Sequence, residues 1–276
     1  MEFLQPPAWR EALEARAAHP DALPIWGGTD VMVELNFARK RPAALLDLTN
    51  VPELSRWHAE DGGVRIGAGV TYARIIRELG DRMPGLAMAS RTVGSPQIRN
   101  RGTIGGNLGS SSPAGDALPP LYAVGAVVEL ASARGERRVP IDEFIVGPKR
   151  NVLADDELIA AVWVPERADA AQQFAKVGTR NAMVIAVCSF AVDVSDGRVG
   201  TCIGSAGPTP IRAREAEAFA AGLDRLSDDD AARFGDLVAS AASPIDDVRG
   251  SAAYRRHAVS VLARRTLTWA WAARCG

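Results

Sequence analysis

The spacing of apolar and polar positions predicts a chain that mixes helices with strands. The clearest strand signal lies in residues 172–207, where alternating runs flank Asp196 and Gly197, a pair typical of tight β-hairpins. Residues 63–76 pass from strand to helix, and residues 121–132 pass from helix to strand. Shorter apolar runs predict strands over 22–26, 44–51 and the end of 156–166. Helical spacing occurs over 6–19, 30–40, 211–223, 230–242 and 252–273, and residues 85–100 predict a helix that stops near Gly94 and Pro96. Because the two element types do not alternate strictly, the pattern predicts the α+β class.

The composition restricts the kinds of protein and of binding partner that the sequence is compatible with. The 276 residues are 47% hydrophobic, which is enough to form a buried core, and a polar stretch near residues 166–172 predicts a domain boundary. The formal net charge is −1, so the chain lacks the basic surface that nucleic-acid binding requires. The N-terminal sequence has no signal-peptide pattern, and no apolar run is long enough for a membrane span. We therefore expect a cytoplasmic protein with neither a nucleic-acid partner nor a membrane span.

The cysteines and histidines do not predict a metal site. The cysteines are Cys188, Cys202 and Cys275, which contain no C-x-x-C pair and are too few to hold a four-cysteine iron–sulphur cluster. The three histidines lie far apart along the chain, whereas metal sites usually show a closely spaced ligand pair. We predict no metal ligand in this chain.

Two glycine doublets are the strongest chemical signal. Gly27-Gly28 follows a predicted strand, and Gly105-Gly106 lies in a segment rich in hydroxyl side chains. Glycine lets the backbone adopt positive φ and lets a ligand approach the amides closely. Successive amides then form a concavity that binds anions. The alternative is that both doublets only form tight turns.

The spacing of these glycines excludes the common nucleotide motifs. Neither doublet belongs to G-x-x-x-x-G-K-[ST], so a magnesium–nucleoside triphosphate site is disfavoured. Neither fits G-x-G-x-x-G, the dinucleotide fingerprint of the Rossmann fold. Two amide nests that share one pyrophosphate remain compatible with the pattern. The side-chain donors to such a ligand would be Thr29, Thr103, Asn107 and Ser110, and the acceptor would be Asp116.

Two longer segments carry a resemblance to a known family. "GGTDVMVEL" and "SPQIRNRGTIGGNLGSSSPAGDALPPL" resemble the two FAD-binding loops of the medium subunits of molybdenum hydroxylases, the group that includes carbon monoxide dehydrogenase and bacterial xanthine dehydrogenases. "RIGAGVTYARI", "DELIAAVWVP", "FAKVGTRNAMVIAVCSFAV" and "DDVRGSAAYRRH" follow in the family's order, so the resemblance covers nearly the whole chain. It implies a two-subdomain FAD-binding domain of the p-cresol methylhydroxylase/vanillyl-alcohol oxidase type, followed by a smaller α+β domain. The implied ranges are 1–171, with subdomains of about 1–57 and 58–171, and then 172–276.

The resemblance also implies which residues contact a non-covalent FAD. The first pyrophosphate loop would comprise Pro24, Ile25, Trp26, Gly27, Gly28, Thr29, Asp30 and Val31. The second would comprise Thr103, Ile104, Gly105, Gly106 and Asn107, with Ser110 and Asp116 along the ribityl–phosphate chain. Val93 would flank the adenine, Ile159 would lie near the isoalloxazine, and Lys176 would lie by the flavin or its ribityl chain.

Three of these positions carry open alternatives. Trp26 replaces the small or aliphatic residue usual before the first doublet, so its ring must turn away from the pyrophosphate or stack on the cofactor. Asp116 fits a ribityl contact and equally a helix N-cap. Lys176 is either a flavin contact or a solvated lysine on a strand.

The function that the resemblance implies depends on other chains. A large molybdopterin-binding subunit would oxidise the substrate, a small subunit would carry [2Fe–2S] clusters, and this chain would pass electrons from its FAD to NAD or a quinone in an (αβγ)2 assembly. No residue of this chain would act as a nucleophile, so we assign no catalytic residue. Two alternatives are a free-standing FAD-dependent oxidoreductase of the same fold and a non-redox binding or assembly module.

Substitutions in the second glycine segment test the cofactor prediction. Gly106→Val or Asn107→Ala should empty the FAD site and leave the chain folded, because each change alters the expected contact surface. The measurement is flavin absorbance per purified chain, with circular dichroism as the control for folding. Normal flavin content in both variants would contradict the prediction.

Overall fold

The computed structural model describes residues 1–181 and 183–275. The side chain of Cys275 lies outside the described residues, and so does the prediction that Cys275 ligates no metal. The strands are β1 Glu2–Leu4, β2 Leu23–Ile25, β3 Ala44–Asp47, β4 Trp57–Glu60, β5 Gly63–Gly67, β6 Val127–Ser132, β7 Gly135–Pro140, β8 Ile145–Gly147, β9 Arg150–Asn151, β10 Leu158–Pro165, β11 Ala171–Val177, β12 Cys188–Ser195 and β13 Arg198–Gly204. The helices are α1 Trp9–Ala18, α2 Val31–Asn36, α3 Tyr72–Glu78, α4 Pro84–Thr92, α5 Pro96–Arg101, α6 Ile104–Ser110, α7 Leu118–Val124, α8 Ile141–Phe144, α9 Arg214–Ala221, α10 Asp228–Ala241 and α11 Ala252–Cys275. None of the helices in these ranges is both long and apolar enough to cross a bilayer.

The N-terminal part is a small parallel sheet in the order β1-β3-β2. All four residues of the central strand β3 are buried, as expected for a parallel strand covered on both faces. The chain leaves the carboxyl end of β2 at Ile25 and enters α2 at Val31. We call the intervening residues 26–30 loop 1. Its position follows the general rule that ligands bind beyond the carboxyl ends of parallel strands.

A five-stranded antiparallel sheet follows, in the order β4-β5-β10-β6-β7. The central strand β10 pairs with β5 and β6, and its register with β6 shifts between Ile159 and Ala161. Ala160 is the extra residue of this bulge, and its carbonyl accepts the amide of Ala68. A bulge bends a strand and changes the direction of its side chains, and such bulges occur often beside binding sites.

The C-terminal part packs α9 and α11 on the antiparallel sheet β11-β12-β13, and α10 packs mainly against these two helices. The predicted hairpin joins β12 to β13 through Asp196 and Gly197, and Gly197 has the positive φ of 60° that this tight turn requires. Phe190 of β12 and Phe234 of α10 are fully buried, with ring centroids 6.2 Å apart in an edge-to-face arrangement. This core is separate from the larger core formed by the first two sheets.

A buried ionic cluster joins the C-terminal sheet to the rest of the chain. Asp193 of β12 is fully buried and accepts hydrogen bonds from Arg198 and from Arg167, the latter at 3.4 Å. Arg198 also donates to the carbonyl of Ala123 at 2.8 Å, and Arg167 donates to the carbonyl of Val124 at 3.4 Å. The C-terminal end of α7 is therefore tied to β12 by two arginines that share one carboxylate.

The α+β prediction is confirmed, with local differences. The predicted helix over 30–40 ends at Asn36. The helix predicted to stop near Gly94 and Pro96 ends at Thr92, and Pro96 starts a further helix, α5, capped by Ser95, which was not predicted. The glycine segment after Thr103 is a helix rather than an open loop. The short helix α8 and the β8–β9 hairpin were not predicted, since neither segment has a clear period.

The buried cluster leads to a stability prediction. Asp193→Ala should lower the free energy of unfolding by about 3–5 kcal/mol, because it leaves two partly buried guanidinium groups without their counter-charge. Urea unfolding measures the change. Arg214→Ala is the control, since Arg214 pairs with Asp142 across the same two parts of the chain but is 63% exposed, and its loss should cost less than about 1 kcal/mol. Equal losses in both variants would contradict the prediction.

Candidate functional site

Loop 1 presents a run of amides without partners. From Trp26 to Val31, no backbone N–H donates to another group among the described residues. Gly28 has a positive φ of 74°, which turns the chain from β2 into α2 and which other residues adopt only with strain. Free successive amides at a helix start can bind an anion. Loop 1 therefore offers unpartnered amides beside a glycine of positive φ, and its role as an anion site stays a prediction.

The second glycine segment forms the helix α6, and this differs from the prediction of two amide nests. Thr103 caps the helix, and its hydroxyl oxygen accepts the amide of Gly106 at 3.0 Å. The amides of Ile104 and Gly105 donate to the carbonyls of Val70 and Ala68 at 3.1 and 2.9 Å. The first amides of α6 are thus already bonded within the chain. What α6 offers to a ligand is exposed backbone surface and side chains.

The glycines of α6 have two different roles. A Cβ atom on Gly105 would overlap Ala68, so this glycine lets the helix pack directly on the turn after β5. Gly106 is exposed, and a Cβ there would meet only the hydroxyl of Thr103, at 3.1 Å. Ile104 and Leu108 anchor the opposite face of the helix in the core. The face with Gly106 is therefore open to an approaching ligand.

Loop 1 lies along α6 and contacts both of its ends. At the N-terminal end, a Cβ on Gly27 would overlap the carbonyl of Arg101, so the two backbones touch there. At the C-terminal end, the hydroxyl of Ser110 donates to the carboxylate of Asp30 at 2.6 Å. The open position at Gly106 lies between these contacts along the helix. The structure thus brings together two glycine segments that are about 75 residues apart in sequence.

Trp26 turns away from the loop backbone and stacks on protein. A Cβ on Gly69 would overlap its indole ring, and the Arg101 guanidinium lies 5.8 Å from the ring centroid. Arg101 also donates to the Trp26 carbonyl at 3.3 Å. The Trp26 ring thus packs against the turn before α3, and its position relative to the cofactor stays a prediction.

Asp116 and Lys176 form one buried ion pair. The ammonium of Lys176, on β11, donates to the Asp116 carboxylate at 2.5 Å and to the Thr92 carbonyl at 3.2 Å. Both side chains are only 8% exposed, so Lys176 is not a solvated surface lysine. Burial raises the pKa of Asp116, and the Lys176 charge opposes that shift. The N-cap alternative for Asp116 is wrong, because α7 has Ala117 at that position and no side-chain cap.

Tyr72 is a residue of this region that sequence reasoning missed. It is 3% exposed, and its ring packs on Gly102, immediately before the cap of α6. Burial raises the pKa of Tyr72 well above its usual value, and the carboxylates of Asp116 and Asp30 raise it further. The hydroxyl therefore stays protonated and able to donate. In the sequence, Tyr72 directly follows the threonine that caps α3, at a position where an apolar residue would suffice for packing. The extra hydroxyl group is the signal that could have indicated a polar role for this residue.

The remaining predicted residues lie at the edges of this region. Ile159 sits at the bulge of β10, with its Cδ1 atom 3.8 Å from where a Cβ on Gly109 would lie. Val93 follows α4, and its carbonyl accepts from Arg99 at 3.1 Å. Pro24 and Ile25 are paired with β3 in the parallel sheet, so their backbone belongs to the scaffold of loop 1.

Comparison with known proteins identifies the family. The family described as "FAD binding domain in molybdopterin dehydrogenase" matches residues 1–167, and the one described as "CO dehydrogenase flavoprotein C-terminal domain" matches residues 173–270. The chain belongs to the FAD-binding medium subunits of the molybdenum hydroxylases. It is 32% identical to the nicotine 6-hydroxylase medium subunit of Paenarthrobacter nicotinovorans, over 99% of this chain and 98% of the relative. It is 29% identical to the carbon monoxide dehydrogenase medium chain of Hydrogenophaga pseudoflava, over 92% and 91%.

Solved structures agree with this assignment. Quinoline 2-oxidoreductase from Pseudomonas putida 86 aligns with a TM-score of 0.92 at 25% identity, over 99% of this chain and 98% of that one. Carbon monoxide dehydrogenase from Hydrogenophaga pseudoflava aligns with a TM-score of 0.91 at 28% identity, over 100% and 98%. The predicted family, the order of the two domains and FAD as the cofactor are confirmed.

The polar groups around loop 1 fit a cofactor with a phosphate and polyol chain. Four buried polar atoms here have no hydrogen-bond partner among the described residues: Trp26 Nε1, Tyr72 Oη, Asn107 Oδ1 and Asp116 Oδ1. Unpartnered buried groups are rare, so each calls for a ligand or an ordered water. Two of the atoms are donors and two are acceptors, and ribityl hydroxyl groups can both donate and accept. The residues present therefore fit FAD.

The buried pair gives a prediction with a pH dependence. Lys176→Met should lower the free energy of unfolding by about 3–5 kcal/mol at neutral pH, because Asp116 stays buried without its counter-charge. With its folded-state pKa raised, Asp116 favours unfolding as pH rises above about 4, so the loss should shrink in acid. Urea unfolding from neutral to acidic pH measures both effects. The control, Lys176→Met with Asp116→Leu, removes both charges and should regain most of the stability. An equal loss in the single and double variants would refute the role of the pair.

Proposed function

We propose that this chain is the FAD-carrying electron-transfer subunit of a molybdenum hydroxylase complex. It would receive electrons from the [2Fe–2S] clusters of a partner subunit and pass them to NAD or a quinone. The observation that carries the proposal is that loop 1 lies against α6. The unpartnered amides of loop 1 and the exposed backbone of Gly106 are thereby brought to the same region. In this proposal the chain's own contribution is to hold and orient the cofactor.

The proposed FAD contacts divide by element. Loop 1, with Pro24, Ile25 and Val31 at its ends, would donate amides to the pyrophosphate without adding positive charge. From α6, Thr103 to Asn107 and Ser110 would form the opposite wall. Asp116, paired with Lys176, would face the ribityl chain, while Val93 would flank the adenine and Ile159 the isoalloxazine. When bound, FAD supplies the redox chemistry, because the isoalloxazine accepts electrons singly or in pairs.

The partners follow from the family, and their assignment to this chain is part of the proposal. Two relatives are named a medium subunit and a medium chain, which presupposes larger and smaller companions. We propose a large molybdopterin-binding subunit, a small [2Fe–2S] subunit and an (αβγ)2 assembly in the cytoplasm. The family matches at 1–167 and 173–270 support a division into 1–171, with subdomains of about 1–57 and 58–171, and 172–276.

Purification of the tagged full-length chain from its native cells tests the proposal. We expect flavin absorption, FAD as the nucleotide released by heat, and molybdenum and iron that co-elute with the chain. FAD without molybdenum or iron would favour a free-standing oxidoreductase instead. A colourless chain that takes up no added FAD would overturn the proposal. Anaerobic titration of the complex with NADH or a reduced quinone, followed by flavin bleaching, then identifies the acceptor.

A further inference from the structure

The helix α2, which follows loop 1, is held by little apolar contact. It has six residues and none is buried, and Met32 and Val33 are each 45% exposed. Helices this short are not stable by themselves, so tertiary contacts decide where they lie. Since loop 1 runs directly into α2, the polar contacts of α2 also set the position of the loop.

The Glu34 carboxylate on α2 binds two lysines from different parts of the chain. Lys40 contacts one oxygen at 3.1 Å and comes from the segment just after α2. Lys149 contacts the other oxygen at 2.7 Å and comes from the turn between β8 and β9. Their side chains are 52% and 64% exposed. The two contacts are chemically alike, but only Lys149 connects α2 to another element.

The turn that carries Lys149 is fixed to the C-terminal end of α6. The backbone amide of Lys149 donates to the carbonyl of Ser111 at 2.9 Å, and Lys149 has a positive φ of 57°. Two residues later, Asn151 donates to the hydroxyl of Ser111 at 2.9 Å. The Lys149 side chain therefore starts from a point held on α6 and ends on α2.

From this arrangement we propose that Lys149 is a positioning residue for FAD. It holds α2, and with it loop 1, against α6, so that the two walls of the phosphate site keep their spacing. The Ser110–Asp30 hydrogen bond also joins α6 to loop 1 and therefore also holds the two walls together. This assignment rests on the proposed placement of the FAD pyrophosphate between loop 1 and α6.

The test compares Lys149→Gln with Lys40→Gln in the full-length chain loaded with FAD. Each variant removes one positively charged partner of the Glu34 carboxylate, so the comparison isolates the effect of connecting α2 to another element. The rate of FAD release is followed by the rise of flavin fluorescence in the presence of an apo-flavoprotein scavenger. We expect about fivefold faster release from Lys149→Gln and less than about twofold from Lys40→Gln, as is typical of exposed ion pairs. Lys149→Arg should restore the wild-type rate.

Two further readouts separate positioning from general stability. The thermal unfolding midpoint of the FAD-free chain should be the same in wild type and both variants, because α2 has no buried residue. In about 0.5 M salt, the wild-type rate should approach that of Lys149→Gln.

The outcomes are distinguishable. Equal release rates in wild type and Lys149→Gln would overturn the positioning role alone. Equal acceleration by Lys149→Gln and Lys40→Gln would also overturn it, because the effect would then come from charge and not from the connection. A wild-type chain that retains no FAD would overturn the proposed function, and this assignment with it.

Discussion

The close approach of loop 1 to α6 is the contact on which the site depends. It requires Gly27, because a Cβ there would overlap the Arg101 carbonyl just before α6. The helix itself is held in place by Gly105, which packs against Ala68 of the turn after β5. A methyl group at either position would separate the backbones. Loop 1 comes from a parallel sheet and α6 packs beside an antiparallel one, so the site exists only where the two sheets are assembled together. The candidate cofactor site therefore forms only when the first domain is correctly packed.

The helix α7 connects this site to the C-terminal sheet. All seven of its residues are buried. Just before its start, Asp116 pairs with Lys176 on β11. At its end, the carbonyls of Ala123 and Val124 accept from arginines that share Asp193 on β12. Buried charges are costly unless they are paired, so these two contacts specify one orientation of α7 against the sheet. The second domain thereby fixes the position of Asp116.

The two walls of the site contribute different chemistry. Loop 1 has unpartnered amides, whereas the first amides of α6 are already bonded and its exposed face offers bare backbone at Gly106. Amides stabilise a pyrophosphate without a lysine in the motif, and the one buried lysine nearby is neutralised by Asp116. With FAD in the proposed position, this division would explain why the chain needs no P-loop signature to hold a nucleotide.

The sequence by itself determined the α+β class, the hairpin at Asp196 and Gly197, and the two glycine segments, because turns and strand periods are local properties. Its specific motifs also indicated the family and the cofactor. Only the tertiary structure decided that α6 packs on the turn at Ala68, that Trp26 packs on Gly69, that Asp116 pairs with Lys176, and that Tyr72 packs on Gly102. Each of these depends on a partner far away in the chain. A residue's own neighbours in sequence carry no information about which carboxylate, glycine or carbonyl the fold will place against it.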